Sequence, residues 1–233
     1  MKIFVISLPE ATARRAAIAR QMAALGLTYS LIDGVRPDST RLAELGYNER
    51  GRLLRYGYGM SPGEIGCFLA HRQAWRAVQS YGKKSLVLED DVLVPGLNAA
   101  LLEQLELAPY PIVRLAGVFE KRHKFVGDGP FAKYWGDPAG TAGYVLGPRE
   151  AAQLLRRSAR FYMAVDDFME ARHLHGINTY ALLPYPVRQA GTDTQIGHRL
   201  RPHLSGFARL RLMLVRIPID LHKYFRRVIY YVL

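Results

Sequence analysis

A single cysteine, Cys67, is all the thiol chemistry this sequence has. No internal disulfide framework can hold the fold, and a reducing compartment is the natural setting. Long apolar runs are also missing: none approaches the ~20 residues a membrane-spanning helix needs. The opening Ile3-Phe4-Val5-Ile6 run is too short for a signal-peptide core and has no small-residue cleavage site behind it. These absences lead us to expect a cytoplasmic protein. Acids are scarce, 20 against 32 Lys and Arg, giving a formal net charge of +12. From Arg199 onward there are eight Lys or Arg and one acid, so most of the excess lies in a tail and the body is only mildly basic. This argues against a nucleic-acid-binding body and for a tail with its own partner. The 233 residues, 49% apolar, suffice for one sizeable domain, expected over residues 1–200, with an appendage over 201–233.

The few acids are not scattered evenly. Ser85 to Val94 reads Ser-Leu-Val-Leu-Glu-Asp-Asp-Val-Leu-Val, three carboxylates inside an apolar run of the kind that forms a buried strand of a parallel sheet. Ionised carboxylates are costly there unless paired or bound to a cation. They belong at the strand's C-terminal end, where open α/β sheets place their ligands. Strand alternation would set Glu89 and Asp91 on one side and Asp90 on the other, so Glu89 and Asp91 can face one hard divalent cation, Mn²⁺ or Mg²⁺. A solvated turn that binds nothing gives the same pattern.

Around this run the order of elements is that of an α/β domain with a mostly parallel sheet flanked by helices. Lys2 to Leu8 reads as a first strand, Glu10 to Leu25 as a helix stopped by Gly26, and Leu27 to Ile32 as a second strand closed by Asp33-Gly34. Asp33 stands where such folds hold a base or ribose, although Asp-Gly is also an ordinary turn. Ser61-Pro62-Gly63-Glu64 is a helix start, with a serine cap, proline at the first position and a glutamate three residues on. The helix should run to about Tyr81 with Cys67, His71 and Trp75 on one face. Gly96 to Leu107 suits a helix and Pro111 to Leu115 a strand. Residues 116–139 form a loop-rich, aromatic stretch. Gly140-Thr141-Ala142-Gly143 permits close backbone approach to a ligand, Pro148 to Arg157 reads as a helix, and Asn178 to Leu183 as the last core strand. Asp166 and Asp167 begin a helix over 167–175, where one acid can cap and the other is free for chemistry. Pro218 should start a basic amphipathic helix, with Leu221, Tyr224, Phe225, Val228, Ile229 and Val232 on its apolar face. Residues 205–233 match a helix lying on an anionic membrane surface; the alternative is a terminal helix docked on the body or on another subunit.

Taken in order, Val5 to Leu8 with Arg14-Arg15, Ile32-Asp33-Gly34, Ser61 to His71 with Trp75, Val87 to Val92, Gly140 to Tyr144 and Val165-Asp166 resemble glycosyltransferase family 25. The resemblance covers residues 1–196. Its best-known bacterial members build lipopolysaccharide and lipooligosaccharide, and it is similar to galactosyltransferase domains acting on collagen. It implies a GT-A-like fold and an inverting, metal-assisted transfer of galactose, or next glucose, from a UDP-sugar to a lipid-linked glycan at the inner face of the bacterial inner membrane. On this resemblance Glu89-Asp90-Asp91 stands for the metal-binding DxD motif, with Asp91 and Glu89 as ligands. Ser7, Leu8, Arg14, Asp33, Glu64, His71, Glu89, Asp90, Gly140, Thr141 and Gly143 would shape the donor pocket. Asp166 becomes the first choice for catalytic base and Asp167 the reserve. A metal-dependent phosphohydrolase acting on nucleotide-sugars, or a non-catalytic glycan-binding protein of the same fold, would use similar residues.

Overall fold

The computed structural model describes residues 1–119, 121–135, 139–191 and 206–232. Of the expected tail, residues 201–205 and 233 therefore lie outside the described residues, as do 192–200 before it. The order of elements is β1 (Lys2–Ser7), α1 (Thr12–Ala24), β2 (Ser30–Asp33), α2 (Glu49–Tyr56), α3 (Pro62–Tyr81), β3 (Ser85–Glu89), β4 (Val92–Leu93), α4 (Ala99–Leu107) and β5 (Ile112–Arg114). There follow β6 (His123–Phe125), β7 (Phe131–Tyr134), β8 (Gly143–Leu146), α5 (Pro148–Arg157), α6 (Val165–Glu170), α7 (Arg172–His175), β9 (Thr179–Leu182), β10 (Arg188–Gln189) and α8 (Gly206–Val232).

Eight strands make one sheet in the order β2-β1-β3-β8-β5-β9-β7-β6. β1 pairs in parallel with β2 and β3, and β5 with β9. β8 runs against both β3 and β5, and β7 against β9 and β6. The sheet is therefore largely parallel with β8 and β7 reversed. A short antiparallel pair, β4 with β10, stands beside it.

Alternation along the strands feeds a core on each face. Phe4, Ile6, Val87, Ile112, Tyr144 and Leu146 face a cluster completed by α3, α5 and α6; Ile3, Val5, Leu86, Leu88, Val113 and Val145 face one completed by α1 and α4. Helix α3 starts as its residue order demands. Ser61 Oγ accepts from the Glu64 N–H at 3.2 Å and the Glu64 carboxylate accepts from the Ser61 N–H at 2.8 Å, while Gly82 ends the helix at φ 75°. At Gly66 α3 passes close to the chain after β2: a Cβ there would lie 2.2 Å from the Val35 carbonyl oxygen.

Four expectations change. The single strand from Ser85 breaks after Glu89, and Val92–Leu93 turns away to pair with β10. Residues 116–139 contain a hairpin, β6–β7, which extends the sheet. The helix expected over 167–175 divides at Ala171 into α6 and α7. The C-terminal helix begins at Gly206, not Pro218, and Pro218 sits inside it. The apolar period through Leu210, Leu214 and Ile217 continues across the proline, whose missing N–H costs one bond to the Leu214 carbonyl.

Helix α8 returns to the body through its last turns. The Tyr230 hydroxyl donates to the Thr179 carbonyl, Arg172 lies over the Tyr230 ring at 4.7 Å, and Trp135 meets Tyr231 edge-on at 5.2 Å. Leu210, Met213, Leu214, Ile217, Leu221 and Phe225 remain at least half exposed. No helix among the described residues is long and apolar enough to cross a membrane.

His175 sets an acid limit on this fold. It is buried, its Nε2–H donates to the Met169 carbonyl and its Nδ1 accepts from the Ile177 N–H. Burial, against the hydrogen bonds to the Met169 and Phe168 backbone, lowers its pKa to about 4 from an ordinary 6.5. The unfolded chain takes up this proton first as pH falls, so stability present above pH 6.5 declines towards pH 4. The span corresponds to about 3 kcal/mol. Denaturant titrations at neutral pH and near pH 4 should show a loss of that size beyond the loss in His175→Gln; equal losses would remove His175 from the account.

Candidate active site

A cleft of about 370 Å³ opens at the C-terminal ends of β1 and β3. Its walls are the residues after β1, the Gly34–Pro37 stretch after β2, the first half of α3, and Glu89 to Asp91. The sheet register explains the meeting, since Glu89 lies opposite Ile6 and Asp33 opposite Ser7.

All three acids border this one cleft. The alternation expected to turn Asp90 to the other side fails because the chain bends at Asp90 and Asp91 as it leaves the strand. Glu89 accepts from Thr141 Oγ1 at 2.7 Å and lies 3.3 Å from His71 Nε2. Burial works against its charge, but the His71 and Thr141 hydrogen bonds outweigh it and hold the carboxyl below its usual range. Asp90 takes the Ser7 hydroxyl at 2.5 Å and faces Arg14 Nε at 3.4 Å. For Asp90 burial wins, and its pKa rises despite those two partners. Asp91 is the least compensated. Burial first, then the Glu89 and Asp90 charges, push it up to about 6, and its Oδ1 is buried without a hydrogen-bond partner.

Behind Glu89 runs a chain of hydrogen bonds whose direction can be deduced. The Trp75 indole N–H can only donate, and it reaches the Tyr144 oxygen at 2.9 Å. The Tyr144 hydroxyl is then free to donate to His71 Nδ1, 2.8 Å away, leaving Nε2–H directed at Glu89. For a neutral ring, the carboxylate facing Nε2 selects the ε-protonated tautomer. His71, Trp75 and Tyr144 are all essentially inaccessible to solvent, so the chain is dry and its geometry is set by packing.

Of the expected site residues, Ser7, Leu8, Arg14, His71, Glu89, Asp90 and Asp91 line the cleft. Glu64 does not; it is buried in the cap of α3, between the lining residues Gly63 and Gly66. Thr141 reaches the site only through Glu89. The Gly140 carbonyl instead accepts from Arg114, and Gly143 packs β8 against Leu88 and Val187. Asp33 is drawn aside by Arg15, which bonds it at 2.5 Å and also holds the Ser7 and Leu8 carbonyls. Asp166 and Asp167 stand in the first turn of α6, outside the lining. The Asp166 carboxylate accepts from the Asp167 N–H at 2.9 Å, and its charge is one of those that raise the Cys67 thiol. Sequence reasoning missed Cys67, Arg36 and Pro37 as lining residues and Tyr144 as the support of His71. The four-residue spacing of Cys67, His71 and Trp75 was the available signal.

Residues 1–169 match the family model described as glycosyltransferase family 25 (LPS biosynthesis protein). A protein of Drosophila pseudoobscura pseudoobscura, named as a glycosyltransferase 25 family member, is 28% identical over 250 residues, which cover 90% of this chain and 39% of that protein. One of Drosophila melanogaster with the same name is 34% identical over 102 residues, 39% of this chain and 16% of that protein. The chain thus spans about two fifths or less of the length of these relatives. A match running from β1 through the acidic bend to α6 covers every wall of the cleft, and on it the chain belongs to glycosyltransferase family 25.

Proposed function

We propose that the chain transfers a hexose, galactose by preference and glucose next, from a UDP-sugar to a lipopolysaccharide- or lipooligosaccharide-type glycan, with inversion and with the help of Mn²⁺ or Mg²⁺. The observation behind this is Asp91, a buried carboxylate with an orphaned oxygen and a raised pKa, facing a cleft it shares with Glu89, Asp90 and Arg14. Such an arrangement calls for a cation, and its all-oxygen chemistry at Asp91 and Glu89 fits a hard one. Bound there, the ion supplies charge stabilisation to a departing diphosphate. The sheet, with β8 reversed between β3 and β5, is in keeping with a GT-A-like fold.

In this reading the residues divide the work. Arg14 lies in the cleft with its Nε 3.4 Å from Asp90, and its guanidinium meets the diphosphate. The Gly34–Pro37 stretch and α3 enclose the nucleotide. Asp166, with Asp167 in reserve, takes the proton of the acceptor hydroxyl as its oxygen bonds to the anomeric carbon, while the bond to the diphosphate oxygen breaks and its electron pair leaves with UDP. The exposed apolar face of α8, in a segment whose sequence is rich in Arg and Lys, holds the enzyme at an anionic membrane surface on the cytoplasmic side, where a lipid-linked acceptor is presented.

The test is UDP release from a panel of UDP-sugars, with Mn²⁺ or EDTA, with and without a truncated lipooligosaccharide in anionic or neutral vesicles. We expect one donor to give metal-dependent release that the acceptor stimulates, faster on anionic vesicles. Release indifferent to acceptor would make the protein a phosphohydrolase. Glycan binding without turnover would make it a binding protein.

A further inference from the structure

Cys67 has no part in the sugar transfer described above, yet it borders the same cleft. Cys67 and His71 are four residues apart on α3 and so lie one above the other on a single helix face. Glu89, the last residue of β3, meets them from the sheet. The Cys67 sulfur, a ring nitrogen of His71 and a carboxylate oxygen of Glu89 all lie within 4.8 Å of one another. The His71 Nε2 to Glu89 Oε1 separation of 3.3 Å is long for a charge-assisted hydrogen bond. It is close to the donor–donor edge of about 3.3–3.7 Å that follows from tetrahedral geometry with zinc–ligand bonds of about 2.0–2.3 Å. Ligating imidazoles are typically held by a hydrogen bond at their second nitrogen, and His71 Nδ1 has Tyr144 at 2.8 Å, itself anchored by Trp75.

We propose that Cys67 Sγ, His71 Nε2 and Glu89 form a binding site for Zn²⁺, with the fourth position open to the cleft. A thiolate–imidazole–carboxylate set is too soft for Mg²⁺ or Mn²⁺ and suits a borderline transition metal. Without the ion the thiol stays protonated, because burial and then the charges of Glu89, Asp166 and Asp91 push its pKa up. Binding releases that proton to solvent. The His71 proton moves from Nε2 to Nδ1, and Tyr144 then accepts from both His71 and Trp75. Because Glu89 also belongs to the hard-cation site of the donor cleft, the two ions exclude one another, and Zn²⁺ acts as an inhibitor. The ligand set itself does not rest on sugar transfer.

The experiment uses the whole chain, stripped with EDTA and titrated with Co²⁺ as an optical stand-in, then with Zn²⁺ against a chromogenic chelator. We expect a near-ultraviolet thiolate-to-Co²⁺ charge-transfer band that saturates at one ion per chain, is displaced by Zn²⁺, persists in Asp91→Asn and is absent from Cys67→Ser. Zn²⁺ affinity should fall at least about 100-fold in Cys67→Ser, since even outer partners of a site are worth 10–100-fold. No band in the wild type, or unchanged Zn²⁺ affinity in Cys67→Ser, overturns the assignment. Should that variant not fold, alkylation of the wild type decides: Cys67 is the sole cysteine, and failure of Zn²⁺ to slow its reaction with a maleimide overturns it equally. Neither readout requires a known sugar donor.

Discussion

Asp91→Asn should lower turnover roughly 10²–10³-fold, the scale for removing one preorganised charge-stabilising group, while making the metal-free protein more stable. The two effects have one cause. Asp91 is ionised at neutral pH against burial and against Glu89 and Asp90, which together raise its pKa to about 6 from 3.8. A carboxyl whose folded pKa is raised destabilises the fold fully above that pKa, and the cost disappears as pH falls from 6 towards 3.8. At neutral pH it amounts to at most about 3 kcal/mol, and the neutral amide removes it. The measurement is thermal unfolding in EDTA beside steady-state kinetics in Mn²⁺. Lost activity with an unchanged or lowered unfolding midpoint would mean that Asp91 is structurally satisfied in a way its orphaned Oδ1 denies. Retained activity would remove it from the proposed chemistry. A residue kept at a cost to stability is what a functional site produces.

Asp166→Asn should cost about 10²–10⁴-fold in kcat, the usual contribution of a general base, with little change in donor KM. Asp166 sits outside the cleft lining but close enough to it for its charge to act on Cys67, a lining residue. Among the described residues its carboxylate makes a local hydrogen bond with the Asp167 N–H, which the amide oxygen of asparagine preserves, so the first turn of α6 should survive the change. Asp167 is exposed and its charge acts on Tyr56 instead. Asp167→Asn should therefore leave kcat within a few-fold. The reverse order of effects would exchange the two roles, and a loss confined to KM would place Asp166 among binding groups.

Much of the site was legible where its determinants are local. The cap of α3 follows from Ser61, Pro62 and Glu64 alone, because the hydrogen bonds join residues three apart. The strand leading to Glu89 follows from an uninterrupted apolar run. What could not be read depends on distant partners. Nothing near Asp33 announces that Arg15, on another element, will take its carboxylate. Nothing near Gly143 requires β8 to run backwards between β3 and β5, since that pairing is decided by sheet assembly and not by propensity. The side to which Asp90 turns was misjudged because alternation holds only while the chain remains a strand, and here it bends one residue after Glu89. Pro218 misled for the opposite reason, as a strong local signal that a long amphipathic period overrode.

The dry chain from Trp75 through Tyr144 and His71 to Glu89 gives the molecule an internal optical gauge. The chain has two tryptophans; Trp75 is fully buried and its indole N–H is joined to the cleft by three successive hydrogen bonds. A cation or substrate that changes the charge on Glu89 alters the polarisation of that chain at its far end, where the indole absorbs and emits. Occupancy of the acidic cleft can thus be followed by ultraviolet emission from an unlabelled protein, with Trp135, beneath α8, recording events at the opposite end of the sheet.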